Sequence, residues 1–150
     1  MAYKSRQNGI KGEFIVVNLF RTYGYWTHLV QRNRSGAQPV DVIAIKGYVG
    51  SDDEYHVRSW LIDAKYVERG DRFDFDDIQP NQIESLRYAK DFAGIKRDAG
   101  FGIIFGEFDE QVYFLPLDKY EEIVASGGKS IHRRDMQSID YIEGFFKCKL

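Results

Sequence analysis

Cysteine is almost absent from this chain of 150 residues, which contains only Cys148. A single thiol excludes a disulfide framework and any zinc site built from several cysteines, and it is typical of a reducing compartment. We therefore expect a cytoplasmic location. Cys148 lies at the end of the chain and there is no G-x-S-x-G motif, so the sequence gives no support to catalysis by a cysteine or serine nucleophile.

Long apolar runs are also missing. No segment reaches the 18 or more consecutive apolar residues of a membrane-spanning helix, and the first residues, MAYKSRQNGIKGE, contain no signal-peptide core. We expect neither membrane insertion nor export. Hydrophobic residues make up 43% of the chain and aromatic residues 15%, enough for one domain over residues 1–150 with its own core.

Two common kinds of functional site find no support in the sequence. His28, His56 and His132 share no metal-ligand spacing, so we expect them to be structural or exposed. The glycines of GFGIIFG, residues 100–106, are not followed by a helix N-terminus, so this segment is predicted to be a strand and not a phosphate-binding loop.

The chain has no overall excess of positive charge, since its net charge is −2. The distribution is uneven, however. Residues 1–46 carry seven basic and two acidic residues, a net charge of +5, whereas the remainder carries 14 and 21, a net charge of −7. The basic third suggests a face suited to a polyanion, and ordinary solvated charge is the alternative. We interpret residues 1–9 as a flexible basic arm, and the candidate phosphate contacts are Lys4, Arg6, Lys11, Arg32 and Arg34.

The order of predicted elements defines a fold class. Helices are predicted over residues 10–23, 80–94 and 117–126, and strands over 25–32, 41–47, 59–67, 100–106 and 111–116. Turns or loops are predicted over residues 33–39, 47–56 and 68–77, the last one charged and mobile, and a short helix or strand over 140–147. This order predicts an α/β fold, a mixed β-sheet flanked by α-helices.

Three acids and one lysine are expected to converge. In WLIDAK, residues 60–65, strand alternation places Asp63 and Lys65 on the same side, and Asp41 opens the neighbouring strand. Glu13 shares the inward stripe of the first helix with Val16 and Val17, so its carboxylate points inward and needs a nearby cation. A cross-strand ion pair is the simpler explanation for Asp63 and Lys65 taken alone.

Clustered carboxylates favour a divalent cation. Two of them about 4 Å apart repel by about 4 kcal/mol at an effective dielectric constant of 20. Hard oxygen ligands favour Mg2+, with Mn2+ as a substitute, and a substrate phosphate is a usual partner of Mg2+. The chemistry predicted is hydrolysis of a phosphodiester, with Lys65 orienting water or stabilising the negative charge on phosphorus.

The motifs resemble those of the PD-(D/E)xK nuclease superfamily, through Pro39-Val40-Asp41 and Asp63-Ala64-Lys65. Within it, the chain is similar to Holliday junction resolvases. Its first half, with KGEFIVVNLFRTYGY, RNRSGAQPVDVIAIKG and LIDAK, resembles the archaeal type. Its second half, with FDFDDIQPNQIESL, QVYFLP and GGKSIHRRD, resembles the bacterial RecU type. Three departures are the Val40 insertion, an aspartate at 63 where both types usually have glutamate, and a 33–39 loop too short for the RecU stalk.

The resemblance implies a restriction-endonuclease-like fold and a set of roles. Glu13, Asp41 and Asp63 would bind the metal, Lys65 would be catalytic, Gln82 would lie at the site, and Ser35 matches a serine in a mobile, DNA-contacting loop. The expected function is a Mg2+-dependent endonuclease that resolves four-way DNA junctions, as a homodimer because the junction is two-fold symmetric. The alternatives are another nuclease of this superfamily, such as a restriction or recombination exonuclease, and a non-catalytic DNA-binding module on the same fold.

Overall fold

The computed structural model of the protein describes residues 2–30, 40–91 and 97–149, with side chains described for residues 7–30, 40–88, 90–91 and 98–146. The α-helices in these ranges are α1 (Ala2–Thr22), α2 (Pro80–Asp91), α3 (Leu117–Ala125) and α4 (Ile139–Lys149). The strands there are β1 (Trp26–Leu29), β2 (Val42–Val49), β3 (Tyr55–Val67), β4 (Arg72–Asp74), β5 (Arg97–Phe105), β6 (Tyr113–Pro116), β7 (Ser130–His132) and β8 (Gln137–Ser138). None of these helices combines the length and the apolar character that crossing a bilayer requires.

The main sheet has six strands in the order β1-β2-β3-β5-β6-β8. Only the β3–β5 pair in this sheet is parallel, with Asp63 opposite Phe101, and β4 and β7 form a second, antiparallel pair. The predicted class, a mixed α/β sheet flanked by helices, is confirmed, and the topology is compatible with a restriction-endonuclease-like fold.

Alternation along β3 separates two hydrophobic layers. Trp60 and Ile62 face α1, where they pack with Val16, Val17 and Phe20. The intervening residues face α2, so that Leu61 shares a core with Leu86 of α2 and with Phe101, Phe105 and Leu115 of the neighbouring strands. The two sides of this one strand therefore support different helices, and Asp63 and Lys65 belong to the α2 side.

Three sequence predictions were wrong. The connection predicted over residues 47–56 is shorter, because β2 extends to Val49 and β3 begins at Tyr55. Helix α1 begins at Ala2, eight residues earlier than predicted, so residues 2–9 are helical and do not form a separate arm. The 68–77 segment, predicted to be a mobile loop, contains β4 and a short 3-10 helix, Phe75–Asp77. Phe73 and Phe75 are buried against Phe101 and Tyr120, and burial of these two rings holds the segment on the core.

The tail forms a helix that a buried carboxylate attaches to the sheet. Glu143 of α4 is 3% exposed. It accepts hydrogen bonds from the Tyr25 hydroxyl at 2.8 Å and from Trp60 Nε1 at 2.9 Å, and Arg58 Nε lies 3.4 Å away. Burial and the bond to Glu143 raise the pKa of Tyr25 above its usual value. These contacts connect α4 to β3 and to Tyr25, the residue before β1.

Candidate active site

The register of β2 and β3 brings Asp41 beside Asp63. Val42 lies opposite Ile62, the backbone N–H of Asp41 donates to the Ile62 carbonyl at 3.1 Å, and Asp41 Oδ2 accepts the Ala64 N–H at 2.9 Å. Both carboxylates are buried, with 7% and 4% of Asp41 and Asp63 exposed. The expectation that these two acids meet at one end of the sheet is confirmed.

Lys65 lies on the same side of β3 as Asp63, as strand alternation predicts. Its Nζ is 3.3 Å from Asp63 Oδ1. The same ammonium donates to Gln82 Oε1 at 2.9 Å and to the backbone carbonyl of Asp77 at 3.3 Å. Three groups from three elements therefore hold the amine, with only 15% of the Lys65 side chain exposed.

Gln82 is fixed by the start of α2. Pro80 occupies the first helical position, as predicted, and Gln82 Oε1 accepts the backbone N–H of Gln79, the residue before the helix, at 2.9 Å. This is the half of a capping box in which the third helical residue reaches back to the chain before the helix. One amide oxygen thus caps α2 and positions the Lys65 amine.

The environment of Asp63 disfavours its charge. Burial first, and then the neighbouring Asp41 carboxylate, raise the pKa of Asp63 to about 7, while Lys65 acts in the opposite direction. Asp63 Oδ1 receives no hydrogen bond from the described residues. Lys65 Nζ is close enough to it for an ion pair but is not aligned as a hydrogen-bond donor. A buried pair of carboxylates with one oxygen left open fits a hard divalent cation.

Glu13 approaches from the other layer of the fold. It is half-buried on α1, one turn before Val16 and Val17, and this helix packs on the side of the sheet that Ala64 faces. The hydrogen bond to Ala64 N–H places the Asp41 carboxylate at the edge of β3, between the two layers. The role of Glu13 as a third metal ligand stays a prediction.

The candidate DNA contacts lie mostly outside the described side chains. Lys4 and Arg6 belong to α1 by their backbone, but their side chains lie outside the described residues, as do all atoms of Arg32, Arg34 and Ser35. Lys11 is exposed, with its Nζ 5.6 Å from the centre of the Tyr66 ring, and it lines a cavity of about 230 Å³ together with Asp109 and Glu110. Its role in DNA binding stays a prediction.

Sequence reasoning missed two features. The first is the Asp77 carbonyl that holds Lys65, which comes from a segment predicted to be loop. The second is a group at the β2–β3 turn, Asp52, Glu54 and His56, whose ligand-type atoms lie within 4.8 Å of one another. Alternate spacing at 52, 54 and 56 was the available signal. His56 Nε2 lies 3.0 Å from Asp52, so these two side chains already pair with each other.

No model of a protein family matches the sequence, and no curated protein matches it. The interpretation of the site therefore depends on its geometry and on the order of its motifs.

Stability of the metal-free protein should decrease as the pH rises from 5 to 8. The folded protein keeps the Asp63 proton up to about pH 7, whereas the unfolded chain loses it near 3.8, so the folded state binds more protons in this interval. The raised pKa therefore contributes stability at low pH that is lost as the pH approaches 7. Between pH 5 and pH 8, we expect the unfolding free energy of wild type to fall by about 2 kcal/mol more than that of Asp63→Asn.

Urea unfolding with a chelator, at both pH values, measures this difference. Parallel pH profiles for wild type and Asp63→Asn would contradict the raised pKa. Addition of Mg2+ at pH 8 should restore stability to wild type and not to the variant, because only wild type has both carboxylates.

Proposed function

We propose that this protein is a Mg2+-dependent endonuclease that hydrolyses phosphodiester bonds of DNA, with four-way junctions as its substrate. One observation carries the proposal: the buried carboxylates of Asp41 and Asp63 are adjacent, and the Lys65 amine lies 3.3 Å from Asp63. A carboxylate pair with a lysine on the same strand face is the arrangement that the resemblance to PD-(D/E)xK nucleases implies. A simple ion pair accounts for Lys65 but not for the second buried acid.

The metal ligands in this proposal are Asp41 and Asp63, with Glu13 as a third. A bound Mg2+ or Mn2+ would polarise a phosphoryl oxygen and lower the pKa of a bound water. The two buried acids supply the negative charge that holds such an ion, and they do so on adjacent strands, whose relative position is fixed by backbone hydrogen bonds. Little rearrangement is needed for binding.

Lys65 would act directly on the reacting phosphate. Its amine is restrained by Gln82 and by the Asp77 carbonyl, so it keeps its place beside Asp63 before substrate arrives. A positioned ammonium can stabilise negative charge on the phosphoryl oxygens or orient the attacking water, at no cost of reorganisation during the reaction. Gln82 is a positioning residue in this scheme, because it acts through Lys65.

A branched DNA substrate is supported by the motif order and by symmetry. The chain shows motifs similar to those of both archaeal and RecU-type junction resolvases, in the same linear order. The described residues hold one candidate active site, and a four-way junction offers two equivalent phosphates, so a two-fold homodimer would cut both. The net +5 charge of residues 1–46 would attract the DNA backbone. In this role the protein works in the cytoplasm, at the nucleoid or, for a virus, in the host cell.

Cleavage of a synthetic mobile junction, compared with linear duplex of the same sequence, tests the proposal. We expect paired, symmetric cuts in the junction with Mg2+ or Mn2+, much slower cutting of the duplex, and no cutting with a chelator. Equal cutting of both substrates would favour another nuclease on this fold. Tight junction binding without any cutting under all metal conditions would favour a non-catalytic DNA-binding module.

A further inference from the structure

One side of the β1–β2–β3 meander carries large apolar side chains in contact with solvent. The exposed fractions are 61% for Trp26, 38% for Ile45, 63% for Val49, 73% for Tyr55 and 43% for Val57. The register makes them neighbours, because Trp26 lies opposite Ile45 and Val49 opposite Tyr55. These five residues form one continuous surface, which we call the meander face.

A glycine makes this surface continuous across β2. The Tyr55 hydroxyl lies 1.8 Å from the position that a Cβ on Gly47 would occupy. The tyrosine ring therefore rests on β2 at a place where any side chain would displace it. This close approach joins Tyr55 to the part of the surface formed by Ile45 and Trp26.

The meander face is uncharged, and the opposite side of the same strands is not. Over the part of the strands that the meander face covers, alternation directs to this side Trp26, His28, Ile43, Ile45, Gly47, Val49, Tyr55, Val57 and Ser59, which include no Lys, Arg, Asp or Glu. Asp63 and Lys65 lie on the same side but farther along β3. Lys46 and Arg58 point to the other side, where they contact Tyr23 and Glu143. A DNA backbone needs cations, so this surface is poorly suited to it. Depletion of charge with aromatic enrichment is typical of the core of a protein interface.

We propose that the meander face is the surface through which two copies of this chain form a two-fold dimer. The five exposed side chains amount to roughly 500 Å² of apolar area, against about 800 Å² per partner in a standard interface. The face is thus large enough for the interface core, with a polar rim supplying the rest. The choice of a second copy as partner rests on the proposed function, which needs two sites for two equivalent phosphates.

The position of the meander face relative to the candidate active site would allow two active sites to act on one junction. Val57 and Asp63 lie on the same side of β3, six residues apart, which corresponds to roughly 20 Å. A two-fold axis through the meander face would then place the two sites within roughly 40 Å of each other. In each copy, the active site would lie on the same side of the sheet as the dimer interface.

Tryptophan fluorescence of the unmodified protein tests the proposal. Trp26 is 61% exposed and Trp60 is fully buried, so a change in acrylamide quenching reports on Trp26. We expect quenching to fall as protein concentration rises, in step with an increase in mass from 17.5 kDa to twice that value by light scattering. A monomeric mass at all micromolar concentrations would overturn the proposal. So would dimerisation that leaves Trp26 quenching unchanged.

A charged substitution locates the interface. Ile45→Lys places two cations in the centre of the dimer and should raise its dissociation constant at least about tenfold. Val124→Lys, at a residue of similar exposure on α3, should leave it unchanged. If Ile45→Lys fails to fold, the fluorescence measurement on wild type still decides the matter.

These results separate the interface from the nuclease activity. Junction cleavage by a protein that stays monomeric would reject the interface and keep the proposed function. A dimer with a protected Trp26 and no cleavage would support the interface and reject the proposed function. Protection of Trp26 by junction DNA alone, without any change in protein oligomer, would assign the face to DNA and overturn the dimer.

Discussion

Substitution of Lys65 by alanine should reduce the single-turnover rate of junction cleavage by about 10²- to 10³-fold at saturating Mg2+, the usual effect of removing one charge-stabilising group. The amine is the only cation that the described residues place against Asp63, and it is held by Gln82 and the Asp77 carbonyl. Junction binding should persist, because phosphate contacts elsewhere on the proposed nuclease would supply most of the affinity. Rates and binding constants measured on one labelled junction check both parts.

The matched control is Lys90→Ala. Lys90 is also an ion-paired lysine, with Asp118 as its partner, but it lies at the far end of α2 from Gln82. Its removal should leave the cleavage rate unchanged. Loss of Lys65 also removes the group that opposes the raised pKa of Asp63, so Mg2+ dependence must be titrated for each variant. If Lys65→Ala cleaves at the wild-type rate with saturating metal, the site is not a nuclease centre of the proposed kind.

The core of the candidate site was predictable because it depends on local rules. Strand alternation puts Asp63 and Lys65 on one side, and an antiparallel neighbour that opens with Asp41 brings the second acid to the same end of the sheet. Proline at the first helical position marks the start of α2, which carries Gln82. Each of these signals comes from a few neighbouring residues, so the local structure that it predicts depends little on contacts with distant parts of the chain.

Other parts depend on contacts between distant segments. The 72–74 strand pairs with Ser130–His132, nearly 60 residues later, and no local pattern predicts that partner. A signal was available within the segment, since Phe73 and Phe75 alternate with aspartates as buried strand residues do. The density of charge in residues 68–77 favoured a loop instead. The position of Glu13 also depends on such contacts. Its place on the apolar stripe of α1 predicts that the side chain points inward, but does not predict which strand it contacts.

Substitution of Glu143 by alanine should lower the free energy of unfolding by about 3–5 kcal/mol, the typical effect of removing one partner from a buried ionic network. Without the carboxylate, the Trp60 Nε1–H and the Tyr25 hydroxyl lose an acceptor inside the core, although Arg58 keeps its contact with Asp98. Such a loss is a large share of the 5–15 kcal/mol that stabilises a typical domain. Urea unfolding at neutral pH measures it, with Glu122→Ala on the exposed side of α3 as the neutral control.

Glu143 and Asp63 are both buried acids, but they should respond in opposite ways to replacement by the neutral amide. Glu143 Oε1 lies within 3.4 Å of donors from Tyr25, Trp60 and Arg58, so its charge is compensated and Glu143→Gln should destabilise the protein. Asp63 lies beside another carboxylate, and its Oδ1 receives no hydrogen bond from the part of the chain that the structure describes, so Asp63→Asn should stabilise the metal-free protein at pH 8. Donors that fully compensate a buried charge are typical of a structural acid, whereas repulsion and burial that outweigh the one nearby cation are typical of an acid at a functional site. If both amide variants shifted stability in the same direction, this distinction between the two acids would be wrong.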